Sequence, residues 1–89
     1  MTAPSGWRVE FTARAARDLK RLDPPVRQRV YDALERLTSA EPAGDVTRLK
    51  GRDEWRLRVG DWRVLFQRAP DIRTLFVLRV LPRGRAYRD

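Results

Sequence analysis

The sequence has no cysteine and no histidine. The first absence excludes disulfides, thiolate nucleophiles and Cys-ligated zinc or iron–sulfur sites. The second removes the commonest general base and the commonest metal ligand. No stretch approaches the ~18 consecutive apolar residues of a membrane span, and Met1-Thr2-Ala3-Pro4-Ser5-Gly6-Trp7 lacks the basic-then-apolar pattern of a secretory signal. The expectation is a cytoplasmic protein away from the membrane, with no cofactor and no metal. Its chemistry rests on Arg, Lys, Tyr, Asp and Glu.

Acidic residues are scarce in one half of the chain. Residues 1–45 hold eight basic and seven acidic side chains, net +1, whereas residues 46–89 hold twelve and five, net +7. Eighteen of the twenty basic residues are Arg, with Lys20 and Lys50 the exceptions. Such asymmetry within 89 residues, a length that supports one core and hence one domain over 1–89, points to a polyanion bound by the C-terminal half.

Apolar periodicity predicts the elements. Arg8 to Thr12 alternates as a half-buried strand, with Val9 and Phe11 on one side. Thr12 caps a helix whose apolar stripe is Ala13, Ala16, Leu19 and Leu22. Asp23-Pro24-Pro25 ends that helix and starts the next, which carries Val26, Val30, Leu34 and Leu37 and stops near Ser39. Together they form a helical hairpin. Residues 40–51, with Pro42, Gly44 and Gly51 and no clear period, read as a loop. Trp55, Leu57 and Val59, then Gly60-Asp61, then Trp62, Val64 and Phe66 form a hairpin with a type II′ turn. Its register sets Val59 against Trp62, Leu57 against Val64 and Trp55 against Phe66 on the core side, which makes Trp55 and Trp62 packing residues; Trp7 fits either role. Arg73 to Leu81 is apolar on both parities and belongs in the middle of the sheet. The fold class is α+β: a small, antiparallel-rich, four-stranded sheet with a helical hairpin on one face, in the order β-α-α-β-β-β.

The face opposite the helices carries the candidate site. The hairpin register sets Arg58 directly against Arg63, with Arg56 opposite Leu65, and like charges so opposed cost up to about 1 kcal/mol. Either a phosphate lies between the two guanidinium forks, or each fans into water or pairs with an acidic neighbour such as Glu54. Arg83 and Arg85 leave the end of the last strand and can fold over the same face. Tyr87 either packs loosely in the tail or works there, because nearby positive charge favours the phenolate and the ring can stack on a base. Asp53-Glu54 reads as a solvated strand edge, and no metal-ligand spacing or phosphate-cradling glycine loop is present. Three uses fit these residues: an enzyme acting on RNA, a binding-only inhibitor of a protein target, and a plain nucleic-acid-binding module.

Several stretches together resemble the bacterial RelE/ParE toxin superfamily: "ARAARDLKRL" at 13–22, Leu49-Lys50-Gly51, "EWRLRVGDWRVLFQ" at 54–67 and "VLRVLPRGRAYR" at 77–88. The "RVGDWRV" hairpin and the Arg-x-x-x-Tyr ending are the most specific. The resemblance implies the fold above and the toxin of a type II toxin–antitoxin system. The ending favours the RelE-like branch, a ribosome-dependent, metal-independent endoribonuclease that cuts mRNA in the A site by 2′-hydroxyl attack on the adjacent phosphate. The ParE-like branch, which inhibits DNA gyrase without cleavage, is the alternative. The implied catalytic residues are Arg58; Arg63, beside the scissile phosphate; Arg83, at the leaving group; and Tyr87, stacking on the base or taking the 2′ proton. Arg56, Lys50, Arg85 and Arg88 are the implied RNA-binding residues. Pro82 stands where many relatives have His, and Gly84 and Arg85 replace a basic-acidic pair. The implied partners are mRNA, the ribosome and a cognate antitoxin, acidic and partly disordered before binding, in a toxin–antitoxin hetero-oligomer.

Overall fold

The computed structural model describes residues 5–49 and 53–84. The elements are β1 (Arg8–Phe11), α1 (Ala13–Lys20), α2 (Pro24–Leu37), β2 (Asp45–Arg48), β3 (Trp55–Val59), β4 (Trp62–Ala69) and β5 (Thr74–Pro82), with a short 3₁₀ turn at Pro70–Ile72. The sheet therefore has five strands where four were expected, and the loop expected over 40–51 contains β2. It is a mixed sheet in the order β1-β5-β4-β3-β2. Strands β2 to β5 form an antiparallel meander that brings β5 back to β1, and these two run parallel.

β2 eludes a pattern reading because Val46 is its one apolar residue and Pro42, Gly44 and Asp45 look like turn chemistry. Its strand character comes from pairing, with Asp45 opposite Arg58 and Val46 opposite Leu57. Gly44 permits the approach: its φ is +155°, and a Cβ there would lie 3.0 Å from a Leu57 methyl. Both edge strands, β1 and β2, have four residues, which limits the unpaired backbone they expose.

The core lies between the helices and one face of the sheet. Val9, Leu57, Val64, Phe66, Leu75, Val77 and Val80 pack beneath Ala15, Leu19, Leu22, Val30, Ala33 and Leu34. Each large member contributes about 1.5–3 kcal/mol by leaving water. Trp55 and Trp62 pack at its margin, as their parity requires. Arg27, on the first turn of α2, donates to the carbonyls of Leu19 and Leu22, which ties the two helices at their junction. Thr12 caps α1 as expected, its hydroxyl accepting from Ala15 N–H at 3.1 Å. Asp23 has the extended backbone of an N-cap but makes no side-chain cap bond.

β5 is flanked by β1 and β4, the interior place its composition predicts. An irregularity explains its double parity: Leu65 pairs with Arg79 but Phe66 pairs with Val77, leaving Leu78 as an extra residue. This β-bulge moves the core-facing set from Leu75 and Val77 to Val80. β1 stops at Phe11, opposite Val77, so the edge of β5 beyond that point would be unpaired. Residues of the β1–α1 segment complete it. Thr12 N–H donates to Val77 O at 3.0 Å, the Thr12 hydroxyl donates to Leu78 O at 3.0 Å, and Val80 N–H donates to an Asp18 carboxylate oxygen at 2.9 Å.

Asp18 also accepts two bonds from Arg79, at 2.8 and 3.2 Å. Burial alone would raise its pKa, but the hydrogen bonds from Arg79 and Val80 and the Arg79 and Arg21 charges prevail and hold it below its ordinary value of 3.8.

Candidate nucleic-acid interface

The sheet face turned away from the helices has two parts. Leu65 and Leu81 are buried there, with Leu49 and Leu78 packed against them, so the face is not the bare basic surface the composition suggests. Toward the β3–β4 turn the apolar patch gives way to arginines.

The hairpin register is the expected one: Arg58 faces Arg63, Arg56 faces Leu65, and Val59 faces Trp62. Gly60 has φ +57° and Asp61 does not have a positive φ, which is the type II′ pattern. The turn thus brings two guanidinium groups to the same end of one face. Each is relieved differently. Arg58 is exposed and its Nη1 lies 4.0 Å from an Asp45 carboxylate oxygen on β2. That pair is more than half exposed on both sides, and water screens it. Arg63 is 2% exposed. Its Nη1 donates to Gly60 O at 2.9 Å and to Trp62 O at 2.8 Å, while its Nε is buried with no hydrogen-bond partner.

Arg83 joins them through the backbone. Its N–H donates to Asp61 O, in the turn, at 2.8 Å, and its side chain is exposed. Arg56 is half-buried on the same face, one pair further from the turn. Lys50, Arg85, Tyr87 and Arg88 lie outside the described residues.

Arg68 and Arg48 serve another end. Across the sheet, Arg68 stands over the rings of Trp7 and Trp55, 5.7 and 5.8 Å from their centroids, and Arg48 lies 5.7 Å from that of Trp55; such stacking contributes about 0.5–1 kcal/mol at exposed sites. Asp45 and Asp18 are the residues that pattern reading missed. Asp45 sat in the presumed loop, and the Asp18–Arg79 pair spans 61 positions with no local signal. Among the described residues, no group of three or more acidic side chains is arranged to hold a metal, and no helix is long and apolar enough to cross a membrane.

A helical hairpin on one face of a five-stranded sheet, with arginines gathered at one end of the other face, defines a small α+β protein with a basic end to its open sheet face. Residues 9–87 match the family model described as the ParE toxin of the type II toxin–antitoxin system parDE. The chain belongs to this RelE/ParE family of type II toxins. It is 33% identical over 87 residues to a protein named RelE1 from Methanocaldococcus jannaschii, with 93% of this chain and 97% of that one covered. The fold is similar to RelE in the archaeal RelE–RelB complex of Pyrococcus horikoshii OT3, at 26% identity and TM-score 0.73 over 89% of this chain and 97% of that one. It is also similar to a chain of the RelBE2 toxin–antitoxin complex of Mycobacterium tuberculosis, at 28% identity and TM-score 0.68 over 86% of this chain and 98% of that one.

Proposed function

We propose that this toxin is a ribosome-dependent endoribonuclease that cleaves mRNA in the A site. The observation that carries the reading is the grouping of Arg58, Arg63 and Arg83 around one hairpin turn, an arrangement suited to a phosphate and to charge that grows on it. The RelE-named relatives support it.

In the proposed reaction the 2′-oxygen bonds to the adjacent phosphorus and the bond from phosphorus to the 5′-oxygen breaks, leaving a cyclic phosphate and a 5′-hydroxyl. Tyr87, entering as the phenolate that the surrounding arginines favour, accepts the 2′ proton and becomes the phenol. Arg58 and Arg83 contact the phosphate oxygens, with Arg63 buried beneath them, and Arg83 stabilises the departing 5′-oxygen, which takes a proton from solvent. Arginine side chains do not give up their protons in proteins, so these act by charge. Arg56, Lys50, Arg85 and Arg88 bind the flanking RNA. Weak acid–base power is compatible with dependence on the ribosome, which supplies substrate orientation as effective molarity. The site needs no metal. In the cytoplasm, an acidic antitoxin that folds onto the basic face would neutralise the toxin between uses; RelB partners RelE in the similar complexes.

The test is inducible expression of wild type, Arg83→Ala and Tyr87→Phe, with mRNA 5′ ends mapped on translated and untranslated transcripts. Cuts confined to translated mRNA and lost in both variants are expected. The family's ParE description favours a second reading, gyrase inhibition without cleavage. Growth arrest with intact mRNA and DNA damage would establish that one instead.

A further inference from the structure

We infer that Arg63 is a positioning residue for Arg83: its guanidinium locks the β3–β4 turn, and the locked turn holds the Arg83 backbone at the arginine face. The inference rests on the ribonuclease reading for what Arg83 does, but the lock is a property of the free protein.

The Arg63 guanidinium is poorly placed to meet a phosphate itself. It is 2% exposed, Nη1 is committed to two carbonyls, and Nε is buried. The Nε edge of the fork, one of those that grips an oxyanion bidentately, is therefore withdrawn from the surface. What Nη1 grips is informative. Gly60 O and Trp62 O flank Asp61 on either side, so a single nitrogen staples the turn across its tip. The peptide between them contributes the carbonyl that receives Arg83 N–H at 2.8 Å. The linkage is continuous: side chain of Arg63, carbonyls of Gly60 and Trp62, carbonyl of Asp61, backbone of Arg83.

The ladder reaches this end through the Val59–Trp62 and Trp62–Pro82 pairs, whereas Gly60 and Asp61 themselves are exposed. A Cβ at Gly60 would meet nothing within 4 Å, and the same holds at Gly84, next to Arg83. The two glycines are thus unpacked, and hydrogen bonds are left to order the turn and the start of the tail. A Gly-Asp turn without the staple would sample more backbone states, and Arg83 would be displaced with it. The lock also explains how Arg63 tolerates Arg58 across the ladder, because two carbonyl dipoles face its charge.

Two measurements on the full-length toxin decide the matter. Amide hydrogen exchange at Arg83 should be roughly tenfold faster in Arg63→Met than in wild type, as the loss of ordering hydrogen bonds predicts, and unchanged in Arg58→Met. Arg63→Gln, whose amide ends two bonds short of the Nη1 position and so does not reach both carbonyls, should resemble Arg63→Met and serves if the latter fails to fold. In cleavage of translated mRNA, Arg63→Met combined with Arg83→Lys should be no slower than Arg83→Lys alone, because a residue acting through Arg83 loses its effect once Arg83 is impaired. Unchanged Arg83 exchange in the Arg63 variants would overturn the proposal, and so would multiplying losses in the double variant, which signify an independent phosphate contact. If the wild type does not cleave translated mRNA, the ribonuclease reading fails while the exchange measurement still decides the lock.

Discussion

Arg79 and Arg63 are the same residue type on adjacent strands of one sheet, and the chain treats them in opposite ways. Arg79 meets a carboxylate that accepts two of its hydrogen bonds and a third from Val80; charge, donor and strand edge are all satisfied by Asp18. Arg63 faces another arginine, is held by neutral carbonyls, and keeps one buried donor unpaired. The first arrangement joins α1 to β5. The second keeps positive charge concentrated at a turn that adds Arg83. A charge whose counter-charge is built into the fold ties two elements together, whereas one held only by neutral carbonyls orders its turn and leaves the positive charge there uncancelled.

The comparison can be broken most decisively at the turn. Arg83→Ala should lower cleavage of translated mRNA by at least about 100-fold, the usual cost of removing one transition-state donor, with no change in the urea midpoint. A fall in stability instead would make Arg83 structural. Next in size is the seam: Asp18→Ala leaves Arg79 without its carboxylate and Val80 N–H without an acceptor, and should cost about 2–3 kcal/mol in urea unfolding. A loss under 1 kcal/mol would show that solvent replaces these bonds easily.

Acid offers a gentler probe of the same seam. Asp18 titrates lower in the folded chain than in the unfolded one, so its contribution is complete above about pH 4 and is lost as pH falls through the lowered folded pKa. Stability measured from pH 6 to pH 2 should decline more steeply in wild type than in Asp18→Asn. On the arginine face, Arg58→Ala should weaken binding to single-stranded RNA and reduce the slope of log affinity against log salt by about one; an unchanged slope would remove Arg58 from the interface. The smallest effect serves as a baseline. Arg8 and Glu10 lie 3.0 Å apart with side chains 61% and 47% exposed, and Arg8→Ala should change stability by less than about 0.5 kcal/mol.

Much of this was legible in the residues. Alternation around Gly60-Asp61 gave the hairpin and its register, because side chains alternate with period two and a two-residue turn leaves no freedom to slip. From that register alone Arg58 and Arg63 become neighbours. Thr12 and Pro24 marked the helix starts through backbone donors that need an acceptor or cannot exist. β2 was invisible because an exposed edge strand carries little apolar signal and owes its shape to its partner. The bulge at Leu78 was equally hidden, since an apolar strand with both faces covered has no alternation to interrupt. At the site, the sequence could name Arg63 but not show that its guanidinium turns inward.

Composition, periodicity and turn chemistry therefore determined the fold class, the helical hairpin, the β3–β4 pairing and the concentration of charge in the C-terminal half, all of which depend on residues near one another along the chain. The tertiary structure alone decided the fifth strand, the parallel pairing of β1 with β5, the union of Asp18 with Arg79 and the burial of Arg63. Each of these depends on which distant groups meet once water is excluded, and contacts between distant positions leave no period in a sequence.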